Sequence, residues 1–218
     1  MLREKGECDV SPEIDRQDGG NVFARLPDRL RLMRYDVAAL ATDLALLTKA
    51  EWVAHFVTAN YHGDWSILPL RAPAGATHPI LRAVAHPGIT DWEDTELLDL
   101  CPAFASVLGT LQCPLEAVRL MRLAPGSEIR RHNDPDLDAD HGTARLHIPI
   151  ATNSGVEFLV NDRRVDMAPG ELWYLRLSDP HQVFNRGTTE RIHLVIDVRV
   201  NPWLEERLRI AASAGITA

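Results

Sequence analysis

The stretch RRHNDPD, residues 130–136, places His132 and Asp134 two residues apart near the middle of the chain. An imidazole and a carboxylate are both common ligands of divalent transition metals in proteins. The pair alone indicates little, because His-x-Asp is a short pattern and the chain contains 9 His and 31 acidic residues. A metal site becomes the better interpretation only if the fold can bring a third ligand to the pair.

The candidate third ligand is His181, in the segment LSDPHQVFNRG. Taken alone, His181 reads as a turn histidine beside a proline. The strands and turns predicted between residues 143 and 177 would form much of a barrel, so that His181 could meet His132 and Asp134 across the barrel mouth. Two imidazoles and one carboxylate on one face of a metal leave three positions open, which is the arrangement of Fe(II) oxygenases.

Two predicted strands each carry an Arg-x-His pair. Because side chains alternate along a strand, Arg145 and His147 share one face of ARLHIPI, and Arg191 and His193 share one face of ERIHLVIDV. On the surface of a sandwich such side chains would simply face water. Inside a small barrel they need a bound partner, because an unpaired buried guanidinium is very costly. An anion between Arg145 and Arg191 would satisfy both guanidinium groups.

The second half of the chain has the pattern of an antiparallel β protein. From Leu115 onward, seven or eight short apolar or alternating runs are separated by Gly, Pro, Asn and Asp, which predicts a sandwich or a barrel. The runs are EAVRLMRL, ARLHIPIA, VEFLV, RRVDM, ELWYLRL, QVFNR and ERIHLVIDV.

The first half predicts mainly helix. Apolar residues recur at helical spacing between Asp36 and Phe56, and Asp36 is the expected N-cap. A second helix is predicted from Asp94 to Leu111, with a break near Pro102.

Two further segments of the first half have specific expectations. Residues 65–72, WSILPLRA, read as a strand that Pro69 would confine to the edge of a sheet. A basic run is interpreted as the solvated side of an amphipathic segment, and its members are Arg25, Arg29, Arg31 and Arg34.

We therefore expect a mainly β protein with flanking helices, built as one folding unit because the early helices have no other surface against which to bury their apolar faces. The expected parts are a flexible arm at 1–20, a helical or mixed part at 21–115 packed on the barrel, a β core at 116–200 and a helical extension at 201–218.

Composition limits the classes of function. The chain has 218 residues, of which 45% are hydrophobic, and a net charge of −8, which disfavours nucleic-acid binding because that needs a cationic surface. No apolar run approaches the roughly 18 residues of a membrane span, and no signal peptide is expected. Three cysteines, Cys8, Cys101 and Cys113, favour a reducing cytoplasm over a disulfide scaffold.

Residues 117–199 resemble the aspartyl/asparaginyl β-hydroxylase family of 2-oxoglutarate-dependent oxygenases, and in particular its small bacterial branch, which includes the L-proline cis-4-hydroxylases. The resemblance rests on RLMRLAPGSEIRRHND, RLHIPI, VEFLVNDRRVDMAPGELWYL and PHQVFNRGTTERIHLVID. It is weaker over WVAHFVTANYHGDWSILPLR, where Trp65 and Arg71 still match the family pattern.

The resemblance implies a double-stranded β-helix, a cupin-like jelly roll, that uses Fe(II), 2-oxoglutarate and O2. It implies iron ligands at His132, Asp134 and His181, and cosubstrate contacts at Arg191, Arg145 and His147. The histidine ligands would each donate a second N–H to an acceptor, for which Asp136, Asp138 and Asp179 are candidates.

Two departures from the animal members of the family bear on the branch. Those peptide hydroxylases lack the ligand carboxylate that Asp134 supplies here, which favours the bacterial branch. Met121 stands where the animal members carry a serine that helps to hold the cosubstrate, so that this contact is replaced or absent.

The substrate is expected to be an amino acid, free or within a peptide. Trp65, Arg71 and Arg122 are candidate substrate-binding residues, against the alternatives of core packing for Trp65 and a surface ion pair for Arg71. A different class of function is a metal-binding cupin-like barrel that acts as a small-molecule sensor or as a keto-acid-independent dioxygenase. Such a barrel has no need for Arg191, which therefore discriminates between the two classes.

Overall fold

The computed structural model describes residues 26–85 and 88–215. Within these residues the chain forms thirteen strands and four α-helices. The strands are β1 (Arg29–Arg34), β2 (Val53–Ala54), β3 (Tyr61–His62), β4 (Trp65–Pro73), β5 (Trp92–Asp94), β6 (Leu115–Leu123), β7 (Glu128–His132), β8 (Thr143–Ala151), β9 (Val156–Val160), β10 (Arg163–Arg164), β11 (Glu171–Leu175), β12 (His181–Asn185) and β13 (Arg191–Arg199). The helices are α1 (Val37–Leu46), α2 (Pro79–Ala83), α3 (Pro102–Gly109) and α4 (Pro202–Ser213).

The strands form two antiparallel sheets, which is the arrangement of a jelly roll. The larger sheet has the order β1-β11-β8-β13-β6-β4-β2, with β5 also paired to β4, and the smaller has the order β10-β9-β12-β7-β3. Seven predicted runs of the second half correspond to β6 and β8–β13. Most strands that are neighbours within a sheet are distant in the sequence, as the non-consecutive order shows. The chain therefore passes back and forth between the two sheets, and neither sheet is formed by one continuous segment.

The larger sheet is buried on both faces. On β13, Leu194 and Ile196 belong to a core cluster that also contains the buried apolar residues of α1, α3 and α4. Val195, on the opposite face, belongs to a second cluster shared with Phe158 and Val183 of the smaller sheet. The strand alternation predicted from the sequence therefore separates a face covered by helices from a face inside the jelly roll.

The inner face of the larger sheet carries the polar residues that alternation grouped together. On β8 these are Arg145 and His147, and on β13 they are Arg191, His193 and Asp197. Apart from Arg145, which is partly buried, these side chains are buried. The interpretation that such residues face water is wrong for these strands, because the second sheet covers them.

The predicted helical N-terminal half is wrong. Residues 26–85 and 88–115 contain five strands and three short helices. Helix α1 begins after its N-cap Asp36, as predicted, but ends at Leu46, because residues 53–54 pair with β4 instead of continuing the helix. Pairing with a buried strand here outweighs helical spacing, which is a weak local preference. Helix α3 begins at Pro102, the residue predicted to break the second helix.

Pro69 does not mark an edge strand. β4 pairs with β6 on one side and with β2 and β5 on the other. On that second side β2 pairs with residues 66–67 and β5 with residues 71–73, so Pro69 falls in the gap between the two partners. A residue without an N–H fits such a gap in an interior strand as well as it fits an edge.

The basic run is not uniformly solvated. Arg29 is 1% exposed, donates to the Asp28 carboxylate over 2.8 Å, and also donates to the carbonyls of Arg163 and Arg164. Arg31 and Arg34 are exposed and lie near Glu171. The amphipathic interpretation fails for Arg29 because strand β1 pairs with β11 and presents this side chain to the interior.

Some expectations fall partly outside the described residues. The arm at 1–20, Arg25 and Cys8 lie there, whereas α4 occupies most of the predicted extension at 201–218. Among the helices that the structure describes, none is sufficiently long and apolar to span a bilayer.

Candidate metal centre and its cavity

The register of the smaller sheet brings two distant histidines together. His132 ends β7 and His181 begins β12, and the two are direct partners across the antiparallel pair, with ring centroids 4.3 Å apart. Asp134 follows β7, and a hydrogen bond of 2.9 Å from its backbone N–H to the Leu177 carbonyl fixes its position. One ligand atom from each of His132, Asp134 and His181 lies within 4.8 Å of the others.

Backbone carbonyls select the tautomer of both imidazoles. Nδ1 of His132 lies 2.7 Å from the Arg130 carbonyl, and Nδ1 of His181 lies 3.0 Å from the Asp179 carbonyl. Because a carbonyl only accepts, each Nδ1 donates, and each Nε2 keeps its lone pair for a metal. Burial lowers the pKa of His181 to about 4, which keeps its ring in the neutral form that metals bind.

The partners of these imidazoles are therefore main-chain carbonyls, one of which belongs to Asp179. The side chains proposed for this task lie elsewhere. Asp138 holds the exposed His141 over 2.8 Å, and Asp136 lies 3.5 Å from the same imidazole. The Asp179 carboxylate accepts from the Asn161 amide.

A series of alternating charges, partly buried at Asp134 and Arg145 and buried at Asp197 and Arg119, holds the ligand carboxylate. Arg145 donates to Oδ2 of Asp134 over 2.9 Å and to both oxygens of Asp197 over 2.6 and 3.1 Å. Asp197 also pairs with Arg119. Burial acts to raise the pKa of Asp197, but the two guanidinium groups outweigh it and lower that pKa below its ordinary value. The four side chains together carry no net charge, which offsets the cost of burying Arg119 and Asp197.

Arg191 is different, because no carboxylate among the described residues lies within ion-pair distance of it. The side chain is 1% exposed and its Nε has no hydrogen-bond partner. Burial lowers the pKa of Arg191 to about 9. Neither ring nitrogen of the nearby buried His147 has a hydrogen-bond partner within residues 26–85 and 88–215, and burial holds the pKa of His147 well below its usual value. Such a group of unsatisfied donors fits an anionic ligand.

The three candidate ligands, the charge series and the pair of Arg191 and His147 line one cavity of about 660 Å³. This size is typical of small-molecule sites. Both sheets contribute to its walls. The predicted site residues that it contains are His132, Asp134, His181, Arg145, His147, Arg191 and Trp65. Met121 also lines it.

The structure does not bring Arg71 and Arg122 to the cavity. Arg71 pairs with Asp94 over 2.5 Å and donates to the Trp92 carbonyl. Arg122 donates to the Ser66 hydroxyl and its guanidinium lies 4.6 Å from the centroid of the Trp52 ring. The contact between Arg71 and Asp94 is the surface ion pair that was the alternative interpretation of Arg71.

Several residues of the cavity were not identified as site residues from the sequence. They are His55, Trp92, Arg119, Phe158 and Asp197. Asp197 shares its strand face with Arg191, and this alternation was the only available signal. The others depend on the pairing of distant segments, as with the His55 ring, which stacks on Trp65 at a centroid distance of 3.6 Å.

Besides Nε of Arg191, three further indole or guanidinium N–H groups of the cavity residues have no acceptor among the described residues. They are Nε1 of Trp65, Nε1 of Trp92 and Nε of Arg119, all of them buried. A buried donor without a partner costs about 1–3 kcal/mol. A ligand with acceptor oxygens would satisfy these groups.

The fold and the cluster of His132, Asp134 and His181 define a jelly-roll protein with a possible two-histidine, one-carboxylate metal site. The sequence pattern of the family described as aspartyl/asparaginyl beta-hydroxylase matches residues 36–201. The chain belongs to this family, as the resemblance of residues 117–199 predicted.

Two known proteins are similar to the chain. An L-proline cis-4-hydroxylase from Rhizobium meliloti (strain 1021) is 29% identical over 181 residues, which are 81% of this chain and 62% of the relative. The match thus spans less than two thirds of that relative. The crystal structure of an oxidoreductase of the 2OG-Fe(II) oxygenase family from Burkholderia pseudomallei has a TM-score of 0.56 at 17% identity, covering 82% of this chain and 87% of that one. This second likeness supports the fold.

The charge series predicts a pH-dependent stability. Replacing Asp197 by Asn leaves Arg119 and Arg145 without their shared charge and should lower the free energy of unfolding by roughly 3–5 kcal/mol near neutral pH. Because the folded-state pKa of Asp197 is lowered, its contribution is present above the unfolded pKa of about 4 and is lost as the pH falls through the folded value. The difference from wild type should therefore shrink in acid.

Denaturant titrations at neutral and acidic pH would measure this difference. Asp94→Asn is the matched control, because Asp94 makes an exposed ion pair with Arg71 and should cost only about 0–1 kcal/mol. Equal losses in the two variants, or a loss for Asp197→Asn that does not change with pH, would contradict the interpretation.

Proposed function

We propose that the protein is an Fe(II)- and 2-oxoglutarate-dependent dioxygenase that hydroxylates an unactivated carbon of an amino acid, free or within a peptide. The observation that carries the proposal is that Arg191 is buried in the same cavity as His132, Asp134 and His181 and has no carboxylate partner in the described part of the chain. A keto acid with a second carboxylate has one group for a metal and one for this arginine. Membership of the aspartyl/asparaginyl beta-hydroxylase family supports the same conclusion.

The donor set fits the metal. His132 and His181 would each offer Nε2, and Asp134 would offer Oδ1, since its Oδ2 accepts from Arg145. Two neutral imidazoles and one carboxylate with open positions suit non-haem Fe(II). When bound, iron together with 2-oxoglutarate and O2 supplies the oxidation of the substrate C–H bond, with succinate and CO2 as coproducts.

The protein's own residues bind and orient the reactants. Arg191 would receive the distal carboxylate of the keto acid through charge-assisted hydrogen bonds, and His147 would donate to another of its oxygens. A direct cosubstrate contact from Arg145 stays a prediction. Its pairing with Asp197 and Asp134 supports the further role of holding the ligand carboxylate in place.

The substrate class rests on the second group of unsatisfied donors. The N–H groups of Trp65, Trp92 and Arg119 line the cavity without acceptors, which supports a substrate with a carboxylate or carbonyl group. The similarity to an L-proline cis-4-hydroxylase supports a free amino acid, whereas the name of the family refers to aspartyl and asparaginyl residues. Trp65 remains the candidate substrate contact among those predicted, and the partners of Arg71 and Arg122 argue for structural roles.

The setting of the enzyme is a further part of the proposal. A net charge of −8 argues against nucleic-acid substrates. Cys101 and Cys113 are buried and form no disulfide within the described residues, and burial raises the pKa of both thiols to about 11, which makes both poorly reactive. Free thiols are typical of a reducing compartment, so we place the protein in the cytoplasm, away from a membrane, with a small-molecule or peptide substrate as its partner.

The metal ligands give the first test. Purified protein should bind about one Fe(II), or Mn(II) or Ni(II) in its place, per chain. His132→Ala and His181→Ala should each lose the metal, because each substitution removes one direct bond. His62→Ala is the matched control, because His62 is exposed on β3 and does not line the cavity. Metal analysis after dialysis measures the result, and retention of metal in both ligand variants would refute the assignment.

The second test separates this proposal from a sensor or a keto-acid-independent dioxygenase. N-oxalylglycine, an unreactive mimic of 2-oxoglutarate, should raise the melting temperature of the metal-loaded protein by mass action. Arg191→Ala should weaken this binding by roughly ten- to a hundredfold through loss of a charge-assisted contact.

Arg186→Ala is the control for the loss of an arginine, because Arg186 is exposed and pairs with Glu157. Calorimetry gives the dissociation constants. If millimolar N-oxalylglycine produces no shift in wild type, or if both arginine variants bind it equally, the keto-acid proposal fails and the sensor class is favoured.

The third test identifies the substrate class. The enzyme with Fe(II), ascorbate and 2-oxoglutarate should release succinate and add one oxygen atom to a member of a panel of free amino acids, their amides, N-acyl amino acids and Asp- or Asn-containing peptides. If a free amino acid is the substrate, its amide should react poorly, and Trp65→Phe should raise KM about fivefold or more by removing the indole N–H. Arg71→Ala should leave KM unchanged.

Turnover only with peptides would establish the peptidyl alternative. A rise of KM in Arg71→Ala as large as that in Trp65→Phe would contradict the assignment of Arg71 to a structural ion pair. Failure of every panel member to stimulate succinate release would exclude the amino-acid class while leaving the metal and keto-acid sites intact.

A further inference from the structure

The polar contact that Arg191 makes is with a histidine of its own strand. Nη2 of Arg191 lies 2.8 Å from Nδ1 of His193. A guanidinium group has no lone pair to offer, so it donates and Nδ1 of His193 accepts. The neutral His193 ring must then carry its proton on Nε2. Within the described part of the chain, His193 is the sole polar partner of Arg191.

The surroundings of His193 maintain this state. The side chain is 2% exposed, and burial, together with the charge of Arg191, holds the pKa of His193 well below its usual value. His193 also lines a second cavity of about 240 Å³, together with Thr152 and Asn153. A cavity of this size has room for water, which would accept from Nε2–H. Arg191 therefore satisfies the Nδ1 side of the ring.

A neutral acceptor does what a carboxylate could not do here. Asp197 orients Arg119, but it also neutralises it. A carboxylate on Arg191 would in the same way compete with an incoming anion. An imidazole lone pair orients the guanidinium and leaves its positive charge available. It also reduces the rotamer freedom that a long side chain would otherwise lose on binding a ligand.

We propose that His193 is a positioning residue that aligns the Arg191 guanidinium, through its Nδ1 lone pair, to receive the distal carboxylate of a dicarboxylic keto acid. The inference rests on the proposed function of the cavity and assigns to this histidine a role that concerns the distal carboxylate alone. His193 does not touch the metal ligands and is not required for metal binding.

The test uses the full chain loaded with Mn(II) and two metal-binding ligands. N-oxalylglycine carries a distal carboxylate, and oxalate lacks one. His193→Phe keeps a ring but removes the acceptor, and it should weaken N-oxalylglycine binding by about tenfold. Oxalate binding and Mn(II) binding should not change. His193→Asn should restore most of the affinity. The Oδ1 atom of Asn, like Nδ1 of His, is two bonds away from Cβ, and it can accept a hydrogen bond from Arg191.

Calorimetric dissociation constants for the two ligands decide the outcome. The proposal is overturned if His193→Phe binds N-oxalylglycine like wild type, if His193→Asn binds no better than His193→Phe, or if oxalate binding falls in parallel. His193→Leu is the second acceptor-free variant should the Phe variant not fold. If Arg191→Ala itself binds N-oxalylglycine normally, the proposed function fails; if only the His193 variants bind normally, this inference alone fails.

Discussion

The cost of burying charge inside a small jelly roll governs the arrangement of the interior. Arg119 and Arg145 are acceptable there because Asp197 and Asp134 balance them, and these four side chains form one continuous series. Arg191 has no such balance within the described residues. Positive and negative charges are thus balanced in one region of the interior and unbalanced at Arg191. The unbalanced region is where a ligand with negative charge has the most to contribute.

The sheets make this distribution possible. Both faces of the larger sheet are covered, one by helices and one by the smaller sheet, so alternation along β13 sends Leu194 and Ile196 to an apolar core and Arg191 and Asp197 to the cavity. A shift of one residue in the β13 register would exchange these faces. The stability of the apolar core therefore fixes the position of the polar cavity residues.

The sequence predicts the parts of this site that depend on local patterns, and it misses those that depend on contacts between distant segments. His132, Asp134 and His181 could be anticipated because residue type and strand pattern are local properties. The partner of Arg145 could not, because Asp197 lies directly opposite it only through the β8–β13 register. The same limit explains the error in the N-terminal half, where helical spacing before Phe56 is real but pairing with β4 decides the structure.

The charge series also bears on how the three candidate ligands are presented. Asp134 has Oδ2 held by Arg145, and its Oδ1 lies 3.7 Å from Nε2 of His132. A carboxylate held in this way offers one oxygen rather than two, so the protein supplies three donor atoms in total. Backbone carbonyls orient both imidazoles without adding a negative charge. The metal site would consequently keep open positions and a net positive charge, which are the properties that a chelating, anionic keto acid requires.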